Sequence, residues 1–255
     1  MNKNLLIVSV ILLLIGCSSK KNVLILQDMD DSTVYTNNYV SYKVKVDDIL
    51  RIKMQINSEL PELSSMINPD GQNYNLQNSK DALLYNGYQV DSNGEISVPS
   101  VGKIRVENLS LLQIQRLITE TIVNLGILND PIVDVKLLNA NFTVLGEVLR
   151  PGKYDFLENN LNLLEALGYA GDLTINGDRK NIKLIRDIRG KKEVFNIDLT
   201  NDKILSDNNF QIFSGDIIII NPNYNKIKSA GIIGNSGTLL SLLSFVLSSI
   251  IVISN

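Results

Sequence analysis

Hydrophobic and polar residues alternate over Tyr42–Ile52, except at two adjacent acids in the middle. Alternation with a period of two is typical of a half-buried strand, and a polar break predicts a tight turn. The same arrangement returns at Phe210–Ile220, where a glycine and an aspartate stand at the break. We expect the second turn residue of each unit to accept backbone hydrogen bonds and stabilise the turn. These turn residues are Asp47 and Asp48, then Gly215 and Asp216.

A third turn is predicted between the two units. Tyr88–Pro99 has the pattern of a strand, a turn and a second strand, with Asn93 and Gly94 supplying the positive φ angles of a hairpin turn. Val101–Val106 continues with a further strand. This part of the chain is therefore predicted to be built mainly of short strands.

One amphipathic helix follows these strands. Ser110 precedes apolar residues at helical spacing, which predicts a helix that begins there and ends at Gly126. Pro131–Leu137 then alternates as a strand. We expect residues 39–138 to form one small domain.

Residues 139–222 repeat this mixture of strands and a short helix. Gly146 and Gly152 are predicted to lie at turns beside the first two strands. Two later strands are predicted to be joined by a charged hairpin tip. The predicted fold class is α+β, with two small β-rich domains and a C-terminal transmembrane helix. In order, the predicted elements of the second domain are a strand from Phe142, a strand after Gly152, a helix over Leu161–Gly168, strands over Asn181–Arg186 and Glu193–Leu199, and the unit around Gly215.

The N-terminus combines a lysine, Lys3, with an apolar run over Leu5–Ile15 and the lone cysteine Cys17. An 11-residue run is too short to span a bilayer, so it predicts a signal peptide over residues 1–16. The sequence Leu-Ile-Gly-Cys resembles the lipobox of bacterial lipoproteins, which implies covalent lipid, palmitate included, on Cys17. Residues 17–38 are polar and are predicted to be a lipidated tether.

The C-terminal segment, residues 223–255, is predicted to contain a linker and a membrane helix. No ionisable side chain occurs after Lys228, and a helix over residues 231–254 would be about 36 Å long. Helices associate in lipid through small residues, so we expect this helix to insert as an oligomer. A single anchor helix with serines bonded to their own backbone, or a buried helix, are the alternatives. The predicted small-residue face comprises Gly234, Gly237, Ser241, Ser244 and Ser248.

Composition removes several function classes. The 255 residues carry a net charge of −3, contain no histidine and have one cysteine. Nucleic acid binding, disulfides, His/Cys metal sites and histidine-dependent triads are therefore not expected, and neither is a cofactor. Asp47 and Asp48 are adjacent on a turn, and such neighbours rarely converge on one substrate atom, so we do not expect an enzyme.

Taken in order, these motifs resemble the polysaccharide export family of outer-membrane lipoproteins, the Wza-like group. The segment over Val90–Val106, with Pro99 and Gly102, resembles the central part of that family's first domain. Val144–Val148 with the following Pro-Gly turn resembles its β-grasp module, called SLBB. The family usually has Gly-Asp where this chain has two acids, and longer members carry more than one SLBB module.

The resemblance implies a homo-oligomeric ring, often of eight subunits, whose domains lie in the periplasm and whose terminal helices cross the outer membrane. It implies capsular polysaccharide or exopolysaccharide as cargo, membrane lipid as surroundings, and an inner-membrane polysaccharide co-polymerase of the tyrosine-kinase type as partner. The tail is more uniformly apolar than an amphipathic barrel helix. A periplasmic lipoprotein without a pore, which binds glycan or scaffolds an export complex, is the alternative function.

Overall fold

The computed structural model describes residues 23–27, 29, 32–36, 39–56 and 84–229, together with positions 237, 240, 241, 244, 245, 248 and 249. Two hydrophobic cores account for the packing of the described chain. One contains buried residues between Val44 and Val135, and the other contains buried residues between Ala140 and Ile220. We refer to the two parts as the first and the second domain.

The first domain contains a three-stranded antiparallel sheet, a separate hairpin and one helix. Its elements are β1 (Ile49–Ile56), β2 (Tyr88–Gln89), β3 (Glu95–Val98), β4 (Gly102–Arg105), α1 (Leu111–Asn124) and β5 (Pro131–Leu137). The sheet has the order β2-β1-β5, and β3 pairs with β4. Alternate residues of β5 are buried and exposed, as expected for a sheet with one face on the core.

Local sequence explains the bounds of α1. The Ser110 hydroxyl accepts from Gln113 N–H, and the Gln113 side chain accepts from Ser110 N–H, which forms a capping box. Ile114 and two further isoleucines at helical spacing are buried against the sheet. Gly126 follows the last turn with a φ of +68°, the conformation that commonly ends a helix. The predicted start and end of this helix are confirmed.

The second domain is a five-stranded mixed sheet packed against a short helix. Its elements are β6 (Asn141–Gly146), β7 (Gly152–Asp155), β8 (Leu161–Asn162), α2 (Leu163–Tyr169), β9 (Gly177–Ile188), β10 (Lys191–Ile197), 3-10 turns over Asp202–Ser206 and Asn208–Phe210, β11 (Gln211–Ile212), β12 (Ile217–Pro222) and α3 (Tyr224–Ser229). The strand order is β10-β9-β12-β6-β7, in which β12 and β6 are parallel and the other neighbours are antiparallel. β8 and β11 form a separate two-stranded antiparallel ladder.

One predicted strand and one predicted hairpin are wrong. The residues before the first turn form no sheet strand, because Val44 exchanges backbone hydrogen bonds with the loop at Asn108 and Leu109 instead. Asn93 and Gly94 do not join a pair of strands: only Gly94, at +77°, has a positive φ, and β3 pairs with β4 rather than β2.

A two-residue hairpin turn occurs instead at the charged tip of the second domain. Arg189 and Gly190 join β9 to β10 with φ angles of +55° and +76°. Positive φ at both central positions is the geometry that matches the twist of paired strands.

The described part of the predicted tether contacts the second domain. Leu26 N–H and Gln27 N–H donate to the carbonyls of Leu199 and Thr200, at 2.8 and 2.9 Å. The Tyr35 hydroxyl donates to Asp202 at 2.6 Å. This segment, predicted to be a solvated linker, therefore lies along the domain, since backbone bonding and the Leu26 side chain both dock it there.

Most of the C-terminal segment and of the insertion over residues 57–87 lies outside the described residues. The described positions from Gly237 to Ser249 have helical backbone. Within the described part of the chain, no helix combines the length and the apolar character needed to cross a bilayer. The transmembrane helix over residues 231–254 therefore stays a prediction.

Candidate functional site

The two predicted aspartate turns share one local geometry. Asp48 accepts a hydrogen bond from Lys45 N–H at 2.9 Å, and Asp216 accepts one from Phe213 N–H at 2.8 Å. Each donor lies three residues before its acceptor, so each carboxylate closes its own turn. The residue before each aspartate has a left-handed backbone, with φ of +70° at Asp47 and +87° at Gly215.

The two carboxylates differ in their second partner. The Tyr42 hydroxyl donates to Asp48 at 2.8 Å. Asp216 instead faces Arg186, whose Nε and Nη2 lie 3.0 and 2.7 Å from its two oxygens. Arg186 Nη2 also donates to the carbonyl of Gln211 at 2.6 Å. Both aspartates and Arg186 are buried, so these bonds hold charge inside the protein.

The two turns meet at the junction between the domains. The rings of Tyr42 and Phe213 lie 6.2 Å apart, and the Arg186 guanidinium lies 4.2 Å from the centre of the Phe213 ring. Lys45 Nζ donates to the carbonyl of Asp187 at 2.9 Å. A chain of polar and aromatic contacts therefore links the first turn to the second.

Burial dominates the electrostatics of this junction. It raises the pKa of Asp48 above the ordinary aspartate value, against the lowering effects of Lys45 N–H and Tyr42. Burial, assisted by Asp48, also raises the pKa of the Tyr42 phenol. The pKa of Asp216 is raised by burial, and Arg186 acts in the opposite direction. The pKa values of these two carboxyl groups therefore depend on how tightly the junction between the domains is packed.

This geometry is structural rather than catalytic. Asp48 is buried and engaged by two donors, whereas Asp47 is exposed and accepts from Gln89 Nε2 at 3.3 Å. The two acids therefore do not present a matched pair to a substrate. Within the described ranges, no group of three acidic side chains is arranged to hold a metal ion.

A groove of about 310 Å³ lies beside the junction and is lined by both domains. The free edge of β5 forms part of its wall, next to the first turns of α1. Its lining mixes apolar and aromatic side chains with polar groups, as the lining of ligand-binding clefts commonly does. Among the lining residues are Tyr39, Tyr42, Leu112, Gln115, Glu158 and Phe213.

The predicted turn glycines differ in what they require. A Cβ at Gly146, whose φ is +94°, would collide with the carbonyl of Ile220 on the parallel strand β12. Gly146 therefore permits the close approach of the two strands. Gly152 begins β7 without a left-handed φ and has open space around it, so the chain could accept a side chain there.

The predicted membrane residues are only partly within the described chain. Cys17 and Gly234 lie outside it. Gly237, Ser241 and two further serines, Ser244 and Ser248, have helical backbone and are exposed. The Ser244 hydroxyl donates to the carbonyl of Leu240 at 2.8 Å, four residues earlier.

Sequence reasoning missed Arg186, the residue that ties the second turn to its sheet. A signal for it existed, because Arg186 continues the buried side of β9 after Ile182 and Leu184. A cation at a position that alternation places in the core needs a buried acid as its partner. Asp216 was recognised as a turn residue, but not as that partner.

Comparison with known proteins finds two matches along the chain. Residues 36–138 match the family of polysaccharide biosynthesis/export proteins, and residues 141–196 match the SLBB domain. These two matches confirm the resemblance of the motifs to the polysaccharide export family. That family consists of transport components rather than enzymes, in agreement with the sequence-based expectation.

Two curated relatives are EPS I polysaccharide export outer membrane proteins named EpsA. The one from Ralstonia solanacearum is 28% identical over 187 residues, covering 71% of this chain and 48% of the relative. The one from Ralstonia nicotianae is 29% identical over 183 residues, covering 69% and 46%. The chain spans about half the length of these relatives.

Proposed function

We propose that this protein is a subunit of an outer-membrane complex that exports a capsular polysaccharide or exopolysaccharide. The ordered match to the export family and the SLBB domain carries this proposal. The names of both relatives add support, since each describes an export protein of the outer membrane. The subunit acts as a passive conduit, and energy for transport comes from its partners.

The conduit is a homo-oligomeric ring. Support comes from the outer face of the second domain's sheet, where Ile217 of β12 lies opposite Ile185 of β9. Ile219, two residues further along β12, lies between Lys183 of β9 and Leu145 of β6. Val194 lies directly opposite Ile185 on this face and is 54% exposed, and Leu145 opposite Ile219 is 43% exposed. Contiguous apolar surface of this kind is typical of a protein–protein interface.

The two ends of the chain hold the ring in the membrane. Cys17 carries lipid, and the uncharged helix over residues 231–254 inserts and associates through its small residues. Most of the chain lies in the periplasm, where it meets an inner-membrane polysaccharide co-polymerase. The support is the N-terminal lipobox and the absence of charge after Lys228.

One observation favours a second candidate, a periplasmic lipoprotein that binds glycan or scaffolds an export complex without forming a pore. Ser244 and Ser249 both donate to carbonyls four residues earlier, at 2.8 Å. Hydroxyls bonded to their own backbone suit a single anchor helix better than a water-filled lumen.

The Val194→Glu variant separates the two candidates. A charge on the apolar sheet face should prevent ring assembly, because a buried carboxylate without a partner is costly. We expect electron microscopy of the detergent-extracted full-length wild-type protein to show rings. The Val194→Glu protein should instead be monomeric, and cells that carry this variant should lose surface polysaccharide.

Ile175→Glu is the control, since Ile175 is 64% exposed and lies off this face, and it should retain both rings and polysaccharide. A single-subunit wild type would favour the second candidate. Rings of Val194→Glu would show that the apolar face is not the interface, and normal polysaccharide in cells lacking the protein would contradict export.

A further inference from the structure

The outer face of the first domain's sheet carries a cluster of cations. Arg51 and Lys53 of β1 and Lys136 of β5 are all exposed on this face. Arg51 lies directly opposite Lys136 in the strand register, and Lys53 lies opposite Asp134. Side chains at such positions have Cβ atoms about 4.5–5.5 Å apart, so two like charges stand side by side.

Asp134 is the one acid of β5 on this face, so the cations outnumber it by three to one. None forms an ion pair or a side-chain hydrogen bond within the described chain, and Asp134 forms no ion pair with them. Like charges opposite each other destabilise a sheet. The protein has a net charge of −3, so the cluster is a local concentration of positive charge in an acidic chain. An anion bound across both strands would relieve the repulsion.

We propose that Arg51, Lys53 and Lys136 bind the carboxylates of an acidic polysaccharide. This inference rests on the proposed export function, because it assigns the charge class of the cargo. Residues two apart on a strand are about 7 Å apart, so a polymer with repeated carboxylates can contact several cations at once. Multiple weak contacts on an exposed face allow the polymer to bind and still be released.

The surroundings of the cluster favour a polymer over an acidic protein partner. Among the exposed residues of β5 on this face, Ile132 alone is apolar. Protein–protein interfaces, by contrast, usually have an apolar or aromatic centre. Lys136 and Asp134 also border the groove between the domains. Sugar rings of a chain bound at the cations therefore have a polar and aromatic channel beside them.

The test uses the full-length protein in detergent and fluorescently labelled oligogalacturonate, with a maltooligosaccharide of equal length as the neutral probe. We expect binding of the acidic probe that weakens as salt increases, and no comparable binding of the neutral probe. The double variant R51E/K136E should lose at least about tenfold in affinity for the acidic probe. R51Q/K136Q, which removes charge without adding any, should show a smaller loss.

The matched control is K180E/K203E, which makes the same change in net charge at two exposed lysines of the second domain and should bind as the wild type does. Circular dichroism and the melting temperature of each variant establish folding. Equal losses in both reversal variants, or equal binding of both probes, would overturn the proposal. The proposal would also be overturned if the wild type bound phosphatidylglycerol vesicles but not oligogalacturonate, and if R51E/K136E abolished the vesicle binding.

The outcome is separable from that of the export proposal. If the wild type fails to bind oligogalacturonate while Val194→Glu still abolishes surface polysaccharide, the export proposal is retained and the proposal of an acidic cargo is rejected. If oligogalacturonate binding follows the predicted pattern while cells lacking the protein keep their surface polysaccharide, the binding site is retained and the export proposal is rejected.

Discussion

The turn at Asp48 and the turn at Asp216 make the same local hydrogen bond but are stabilised differently by the rest of the molecule. Asp48 receives a neutral phenol from Tyr42, six residues away, whereas Asp216 receives a guanidinium from Arg186, thirty residues away on β9. The first turn is therefore completed by its own segment, and the second by a strand of the sheet. Two turns with the same local hydrogen bond can therefore contribute differently to the stability of the whole domain.

The two turns also differ in the residue that occupies their left-handed backbone position. The left-handed position before the carboxylate is Asp47 in the first turn and Gly215 in the second. A residue with a Cβ pays a conformational cost there that glycine does not. The first turn is consequently the more strained and the less strongly anchored of the two.

The largest effect should come from Arg186→Ala. It removes the paired guanidinium from the buried Asp216, so we expect the free energy of unfolding to fall by about 3–5 kcal/mol, measured by urea denaturation. The control is Arg105→Ala, because Arg105 pairs with Glu107 on the surface and should cost at most about 1 kcal/mol. Similar losses for the two variants would show that burial of the Arg186 pair contributes little.

Tyr42→Phe should have a smaller effect. It keeps the ring beside Phe213 but removes one donor from a buried carboxylate, so we expect a loss of about 1–3 kcal/mol in the same measurement. Tyr224→Phe alters a phenol that is 74% exposed and should stay within about 0.5 kcal/mol of the wild type. If Tyr42→Phe were as damaging as Arg186→Ala, the two turns would not differ in anchoring.

Exchanging the backbone preferences should have the smallest effects, and they should be opposite in sign. Asp47→Gly is expected to raise the free energy of unfolding by about 0.5 kcal/mol, and Gly215→Ala to lower it by about 1 kcal/mol. No atom lies within 4 Å of a Cβ at Gly215, so its loss would report backbone strain alone.

Gly168→Ala is the control for this pair, because it adds a Cβ in open space within α2 and should be stabilising. A destabilising Asp47→Gly would mean that the Asp47 carboxylate, through Gln89, contributes more than its backbone costs.

Local patterns identified the individual elements well. The start of α1 at Ser110, its end near Gly126 and the alternation of β5 all follow from interactions between near neighbours in sequence. The failures concern partners. The turn at Gly94 was expected to pair β2 with β3, but β2 joins β1 and β3 joins β4. Which strand pairs with which depends on packing of a shared core, and alternation is the same for either choice.

The sequence by itself determined the motifs that resemble the export family, the two aspartate turns and the apolar character of both ends of the chain, because each of these depends on residue types at short spacing. Only the tertiary structure revealed that the two turns meet through Tyr42 and Phe213, that Arg186 is the buried partner of Asp216, and that Arg51 stands opposite Lys136. These contacts join residues distant in sequence, and their register is selected by the packing of whole sheets rather than by any local pattern.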